Sequence, residues 1–421
     1  MARKSGSANV KKRNIIVGQS GGPTSVINSS LAGVYKTAKE RGFHTVYGML
    51  HGIQGFLDEK YVDLSTQIHS DMDIELLKRT PSAFLGSCRY KLPEIHEDPA
   101  IYEKIFSILD KLDIEAFIYI GGNDSMDTIK KLSDYAIIKG HCQKFLGVPK
   151  TIDNDLALTD HTPGFGSAAK YIAASTKEII RDALGLAYNK KMVSILEVMG
   201  RNAGWLTGAT ALAKTEECDG PDLIYLPEVT FDIEHFLKKT KELLTKKDSV
   251  VIAVSEGIKL ADGRYVCELS GGADYVDAFG HKQLQGTAAY LAGFLGAELG
   301  CKTRSIEFST LQRSASHMAS RVDINEAFMV GGAAVKAADE GDTGKMVVID
   351  RIADDPYMSA AGIYDVHRIA NAEKLVPREW VNREGNYITA EFINYVEPLI
   401  QGDYQPFMVN GLPQHLVLRK K

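Results

Sequence analysis

The sequence predicts an α/β fold of two three-layer αβα domains with mostly parallel sheets. Three observations carry that expectation. Short β-branched or aromatic runs each end in glycine or polar residues, segments of helical spacing follow them, and the chain has 421 residues. At roughly 150 residues per domain that length exceeds one ordinary core, so two domains are expected. Hydrophobic residues at 44% and charged residues at 24% suit a chain that buries a large core.

The first unit is the run Ile15 to Val17, which leads through Gly18-Gln19-Ser20-Gly21-Gly22 into a helix with Ile27, Leu31, Val34 and Ala38 on one face. The second is Ala116 to Ile120, followed by Gly121-Gly122-Asn123-Asp124-Ser125 and a helix carrying Met126, Ile129 and Leu132. Three more runs end in polar residues. Leu146 to Val148 leads to Pro149-Lys150-Thr151-Ile152-Asp153-Asn154-Asp155, Val193 to Val198 to Met199-Gly200-Arg201, and Val250 to Val254 to Ser255-Glu256-Gly257. Ligands of open parallel sheets lie outside the carboxyl ends of the strands, so these five ends are expected to meet at one crevice. No internal repeat or Pro-rich linker separates the halves, so the domains are expected to share an interface that the chain crosses more than once.

The net charge of -5 gives no general reason to expect nucleic acid or an anionic membrane as a partner; an anionic ligand must be held by local charge. Cys88, Cys142, Cys218, Cys267 and Cys301 are far apart and form no CxxC pair, the pattern of free thiols in a reducing compartment. Met1 to Arg13 is basic and polar with no apolar run behind it, so it reads as a tail and not a secretory leader. No stretch approaches the ~20 apolar residues of a membrane span. A cytoplasmic protein is expected.

The turns Ser20-Gly21-Gly22 and Gly121-Gly122-Asn123-Asp124-Ser125 each join a strand to a helix, which aims backbone N–H groups and the positive helix end at an anion. Neither is a Walker A loop nor a dinucleotide GxGxxG, and a Gly-Gly after a strand is often only a tight turn. The segment from Lys150 to Asp155 says more. One lysine and two carboxylates at a strand end can hold a transferring phosphoryl group and deprotonate an acceptor hydroxyl. A solvated acidic turn is the alternative. Arg201, Arg304 and Arg313 stand where chain segments end or turn, and a guanidinium fork binds phosphate oxygens in pairs. Each could equally be a surface charge.

These residues, with Gly86-Ser87-Cys88-Arg89 and Thr310-Leu311-Gln312-Arg313, occur in order from about Asn14 to about Gly332. In that order the chain resembles the phosphofructokinase family, and within it the pyrophosphate-dependent enzymes. The resemblance implies two Rossmann-like domains: residues 1–164 with about 312–350 for the phosphoryl donor, and 165–311 for the sugar phosphate. Residues 351–421 are left a packing or subunit-contact role. It implies phosphoryl transfer to the 1-hydroxyl of fructose 6-phosphate, with Asp153 as the base. Thr151, Ile152, Met199, Gly200, Arg201, Glu256, Arg304 and Thr310 to Arg313 match sugar-phosphate positions, and Gly21, Arg89, Gly122 and Ser125 donor positions. A homo-oligomer is implied, with Arg304 reaching a neighbouring subunit's site.

ATP-using members of the family have glycine where this chain has Asp124 and Lys150. A carboxylate at the α-phosphate of ATP adds bulk and a like charge, whereas pyrophosphate ends short of it. Lys150 then neutralises charge on the moving phosphoryl group. Magnesium is implied by the charge of the donor. Asn123 departs from the metal-associated Asp of many relatives, which implies contact through water there, with Asp124 as the other metal candidate. Met192 and Thr310 replace an arginine and a histidine of bacterial ATP-dependent relatives. An ATP-dependent phosphofructokinase and a noncatalytic phosphosugar-binding subunit are the alternatives.

Overall fold

The computed structural model describes residues 13–270 and 284–419. The segment 1–12, most of the stretch read above as a tail, lies outside the described residues. In chain order the first elements are β1 (Asn14–Gln19), α1 (Ile27–Glu40), β2 (Thr45–Met49), α2 (Gly52–Leu57), β3 (Tyr61–Asp63), α3 (Asp71–Arg79), α4 (Pro99–Lys111), β4 (Ile114–Gly121), α5 (Asn123–Lys139) and β5 (Lys144–Pro149). Next come α6 (Phe165–Leu186), β6 (Met192–Val198), α7 (Trp205–Ala209), β7 (Leu223–Tyr225), α8 (Ile233–Leu244), β8 (Ser249–Ser255), α9 (Thr287–Leu299) and β9 (Lys302–Glu307). The chain then returns through α10 (Leu311–Ser314), α11 (Arg321–Asp339), β10 (Lys345–Asp354), β11 (Tyr357–Asp365) and α12 (Ala390–Val396).

Two sheets result. The larger has seven strands in the order β11-β10-β5-β4-β1-β2-β3, and the smaller four in the order β7-β8-β6-β9. All pairs of the smaller sheet are parallel. In the larger sheet only β2–β3 and β10–β11 run antiparallel, at its two edges. The fold is therefore the two-sheet, mostly parallel α/β architecture expected. Residue 350, where the sequence placed the end of the first domain, lies inside β10, whose pairing with β11 carries the larger sheet on to Asp365.

Alternation along the strands explains the layers. Ile15 and Val17 face one core while Ile16 faces another on the opposite side of the same sheet. On the smaller sheet Val193 and Ile195 face one layer and Met192, Leu196 and Val198 the other. Strands buried on both faces read as continuous apolar runs because helices cover both sides. Helix starts follow local chemistry: Ser70 and Asp73 form a reciprocal capping box on α3, and Asp232 and Ser320 cap α8 and α11 through their side chains. The segment after β11 packs on both halves. Val376, Phe392 and Leu399 enter the core of the smaller sheet, and Leu416 and Leu418 lie against that of the larger one.

Candidate active site

The two glycine turns open a crevice of about 920 Å³ between the sheets. The ends of β1, β4, β5, β6 and β8 all reach it, through Ser20 to Gly22, Gly122 to Ser125, Lys150 to Asp153, Val198 with Met199 and Arg201, and Glu256. Arg89, Asp155, Thr310, Gln312 and Arg313 complete much of the wall. The five strand ends picked out in the sequence therefore do converge, for the reason given: in each sheet the central strands have neighbours reached by crossovers in opposite directions.

The wall around the two glycine turns is built from backbone. Ser20 N–H donates to Ile120 O at 2.9 Å and Gly21 N–H to Cys88 O at 3.1 Å, so the first turn is tied to β4 and to the loop carrying Arg89. Gly21 has φ +77°, a left-handed conformation that a side chain would strain, and a Cβ there would come to 3.2 Å from Lys150 Nζ. Lys150 Nζ donates to Gly22 O at 2.6 Å and its own N–H to Gly121 O at 3.0 Å, so one residue links both glycine turns. Ser125 Oγ reaches Ser20 Oγ at 3.0 Å. Gly122 is the N-cap of α5, with Asp124 in that helix's first turn.

The electrostatics are those of charges kept from water. Burial pulls Lys150 down to about 8 against the opposing pull of Asp153 and Asp155, with Arg313 and Arg89 lowering it further. Burial raises Asp153, against Lys150, Thr151, Arg201 and Arg313. Asp155 is pushed up to about 7 by burial and by Asp153, and Glu256 to about 8 by the same two causes. Buried groups of both signs whose charged forms are disfavoured are what a highly charged ligand and its counter-ion would relieve. Thr151 Oγ1 sits 3.3 Å from Asp153 Oδ2 and accepts from Asp153 N–H at 3.1 Å, which aims the carboxylate into the crevice.

Gln312 lines the crevice, but its Oε1 accepts from Met199 N–H at 3.2 Å, joining two loops of the opposite wall. Arg313 faces the donor turn: its Nη1 lies 3.1 Å from where a Cβ on Gly22 would be, and Arg89 and Asp153 both act on it. Gly200, Leu311 and Arg304 are not in the lining; Leu311 is 58% exposed and Arg304 pairs with Asp182 on α6 at 3.3 Å. A Cβ on Gly257 would come 1.9 Å from the carbonyl oxygen of Arg201. Gly257→Ala is therefore expected to destabilise the fold by about 1–3 kcal/mol, the scale of overpacking, measured by denaturant unfolding.

Asn123 is tied to a distant segment. Its Oδ1 accepts from Asn371 N–H at 2.7 Å and its Nδ2 donates to Ala372 O at 2.9 Å, so both ends of its amide are committed to backbone. Asn371 and Glu373, in the segment given only packing or subunit-contact roles, line the crevice. No glycine or motif marks them in the sequence; their place depends on a loop returning from β11. Glu197, Asn202 and Glu307 were also missed.

The Phosphofructokinase family matches residues 14–338. This chain belongs to the phosphofructokinase family. Within it, the chain is 41% identical over 411 residues to the pyrophosphate--fructose 6-phosphate 1-phosphotransferase of Halomonas elongata, covering 97% of each. It is 42% identical over 407 residues to the protein of the same name from Xanthomonas campestris, covering 96% of each. The crystal structure of the pyrophosphate-dependent phosphofructokinase from Nitrosospira multiformis superposes with a TM-score of 0.86 at 36% identity, covering 97% of this chain and 98% of that one.

Proposed function

We propose that this phosphofructokinase family member moves a phosphoryl group from pyrophosphate to the 1-hydroxyl of fructose 6-phosphate, giving fructose 1,6-bisphosphate and phosphate, and runs in both directions. The observation that carries the reading is the position of Lys150, which joins the two glycine turns beside Asp153 while Asp124 stands at the start of α5 on the same crevice. Relatives that match nearly the whole chain carry the name of this reaction.

The Asp153 carboxylate takes the proton of the 1-hydroxyl, the oxygen attacks the nearer phosphorus, and the bridging P–O bond breaks with its electron pair passing to the departing phosphate. Lys150, Arg89 and Arg313 neutralise the charge shared between the two phosphates, and the N–H groups around Gly21, Gly122 and Ser125 hold the donor. Thr151, Ile152, Met199, Arg201, Glu256, Thr310 and Gln312 shape the acceptor side, and Gly200 acts only through the turn that carries Met199 and Arg201. Arg304, outside this crevice, serves a neighbouring copy in a homo-oligomer.

Among the described residues no group of three or more His, Cys, Asp or Glu side chains could cage a metal. Magnesium needs no such cage, because it keeps water and takes most of its ligands from substrate phosphates with one or two carboxylates. Asp124, in the crevice wall at the start of α5, fits that requirement, whereas the committed amide of Asn123 fits it only through water. Bound there, the ion would offset charge on pyrophosphate.

The test is turnover of fructose 6-phosphate and magnesium with pyrophosphate or with ATP in parallel. Preference for ATP overturns the donor assignment, and binding of the sugar phosphate without turnover overturns the enzyme. Lys150→Met is expected to lower kcat/KM for pyrophosphate by about 10²–10³, the scale of one lost electrostatic contact to a transition state. Thermal stability is expected to fall, since the bond to Gly22 O is lost and Asp153 and Asp155 stay buried without their cation. The pH dependence follows from the sign of the shift. The ammonium is present below about 8 and lost above it, so KM for pyrophosphate should rise above pH 8 in the wild type relative to Lys150→Met. Equal profiles for the two proteins count against Lys150.

No helix among the described residues is long and apolar enough to cross a membrane.

A further inference from the structure

The loop between β5 and α6 that carries Asp153 has no helix or strand of its own, only isolated bridges at Thr151 to Gly164 and at Leu156 to Glu373. Asn154, next to Asp153, sits at φ 55°, a left-handed conformation that costs a non-glycine residue of order 1 kcal/mol and persists only where its surroundings hold it. Thr162 N–H donates to Asn154 Oδ1 at 3.1 Å within the loop, and the other contacts come from more than 200 positions further along the chain. Lys374 Nζ donates to Asn154 Oδ1 at 3.2 Å, to Asp160 O at 2.6 Å and to Thr159 O at 3.3 Å, while Lys374 N–H donates to Asp155 O at 2.8 Å. Tyr395 assists: it accepts from Asn154 Nδ2 at 2.9 Å and donates to Asp160 O at 2.5 Å.

The residues just before Lys374 reach the other two substrate loops. Asn371 and Ala372 clamp the amide of Asn123 at the start of α5, beside Asp124. Glu373 accepts from Asn202 Nδ2 at 2.9 Å, one residue from Arg201 on the acceptor side. Lys374 O accepts from Trp205 Nε1 at 2.9 Å, which anchors this stretch to α7. Four consecutive residues thus hold the donor turn, the base loop and the acceptor loop at once. Such a strap can set the distance between an attacking hydroxyl, its base and the phosphorus, and misplacement by about 1 Å there can cost on the order of a hundredfold in rate.

We propose that the Asn371–Lys374 strap is the positioning element of the transfer, and that Lys374 is the positioning residue through which it holds Asp153 in line between donor and acceptor. This rests on the reading of Asp153 as the base. Because Lys374 holds the base loop and does not line the crevice, its loss changes the placement of the base and leaves binding in place.

The test is a kinetic cycle with pyrophosphate and fructose 6-phosphate on wild type, Lys374→Met, Asp153→Asn and the double variant. Lys374→Met is expected to lower kcat about 10–100-fold with both KM values within about threefold, the pattern of a group that matters only at the transition state. The double variant is expected to be no slower than Asp153→Asn, since a residue that acts through the base has nothing left to position. A normal kcat in Lys374→Met, or a double variant slower by the product of the two single effects, overturns the proposal. If Lys374→Met does not fold, Tyr395→Phe replaces it in the same cycle, with kcat expected to fall about 3–10-fold for the loss of the assisting hydroxyl. A wild type without turnover removes the reaction itself. An active wild type with a slow Asp153→Asn and an unaffected strap variant removes only the strap's role.

Discussion

Asp153→Asn is expected to lower kcat by about 10²–10⁴, the contribution of a positioned general base, while the protein unfolds at the same or a higher temperature. The two halves of that result have one cause. The carboxylate is raised by burial, so the folded protein holds it at a cost, and a neutral amide of the same shape removes that cost. Thr151 Oγ1 can still accept from the residue 153 N–H, so the loop keeps its local bond. Lys150 loses the partner that opposes its desolvation and should shift further down, adding a weaker grip on the donor at alkaline pH. The pH profile gives a second check. A base works only when deprotonated, and its raised pKa means that kcat/KM should climb with pH at values above the ordinary carboxylate range before levelling. Near-normal turnover in Asp153→Asn would remove it from the role.

Asp124→Gly is expected to raise the ratio of kcat/KM for ATP to that for pyrophosphate by up to about a thousandfold. Two like charges about 4 Å apart at an effective dielectric near 20 repel by about 4 kcal/mol, which is three powers of ten in affinity. The carboxylate lies in the first turn of α5, where it also gains from the helix dipole, so its removal costs on the order of 0.3–1 kcal/mol of stability. That is small beside the effect on the donor. Asp124→Asn separates charge from bulk: a ratio that moves as far as in the glycine variant assigns the discrimination to charge. A ratio that moves only with glycine assigns it to space. If neither variant shifts the ratio, Asp124 does not discriminate, and the crowding of Asn371 and Glu373 along the same wall becomes the next place to look.

Much of this was legible in the residues. The strands at Asn14–Gln19, Ile114–Gly121 and Met192–Val198 announced themselves because a strand buried on both faces must be apolar at every position and must stop where polar groups can reach water or a ligand. The crevice followed from that, since parallel strands of one sheet present the same end to the same side. Lys150 and Asp153 were visible because both lie within a few residues of a strand end, where local order already fixes direction.

Asn123 shows the limit. Its neighbours in sequence suggested contact with a metal through water, and the structure adds that its amide bonds to Asn371 and Ala372, which nothing near Asn123 in the chain could announce. Lys374 and Glu373 escaped for the same reason, as did the closeness of Arg313 to the Gly22 turn. Secondary structure and strand-end chemistry depend on neighbours in the chain, so sequence alone determined the two-sheet fold, the five converging ends and the charged groups that line them. Which side chains are already engaged, and by what, depends on segments brought together across more than two hundred residues, and that was decided only when the chain packed.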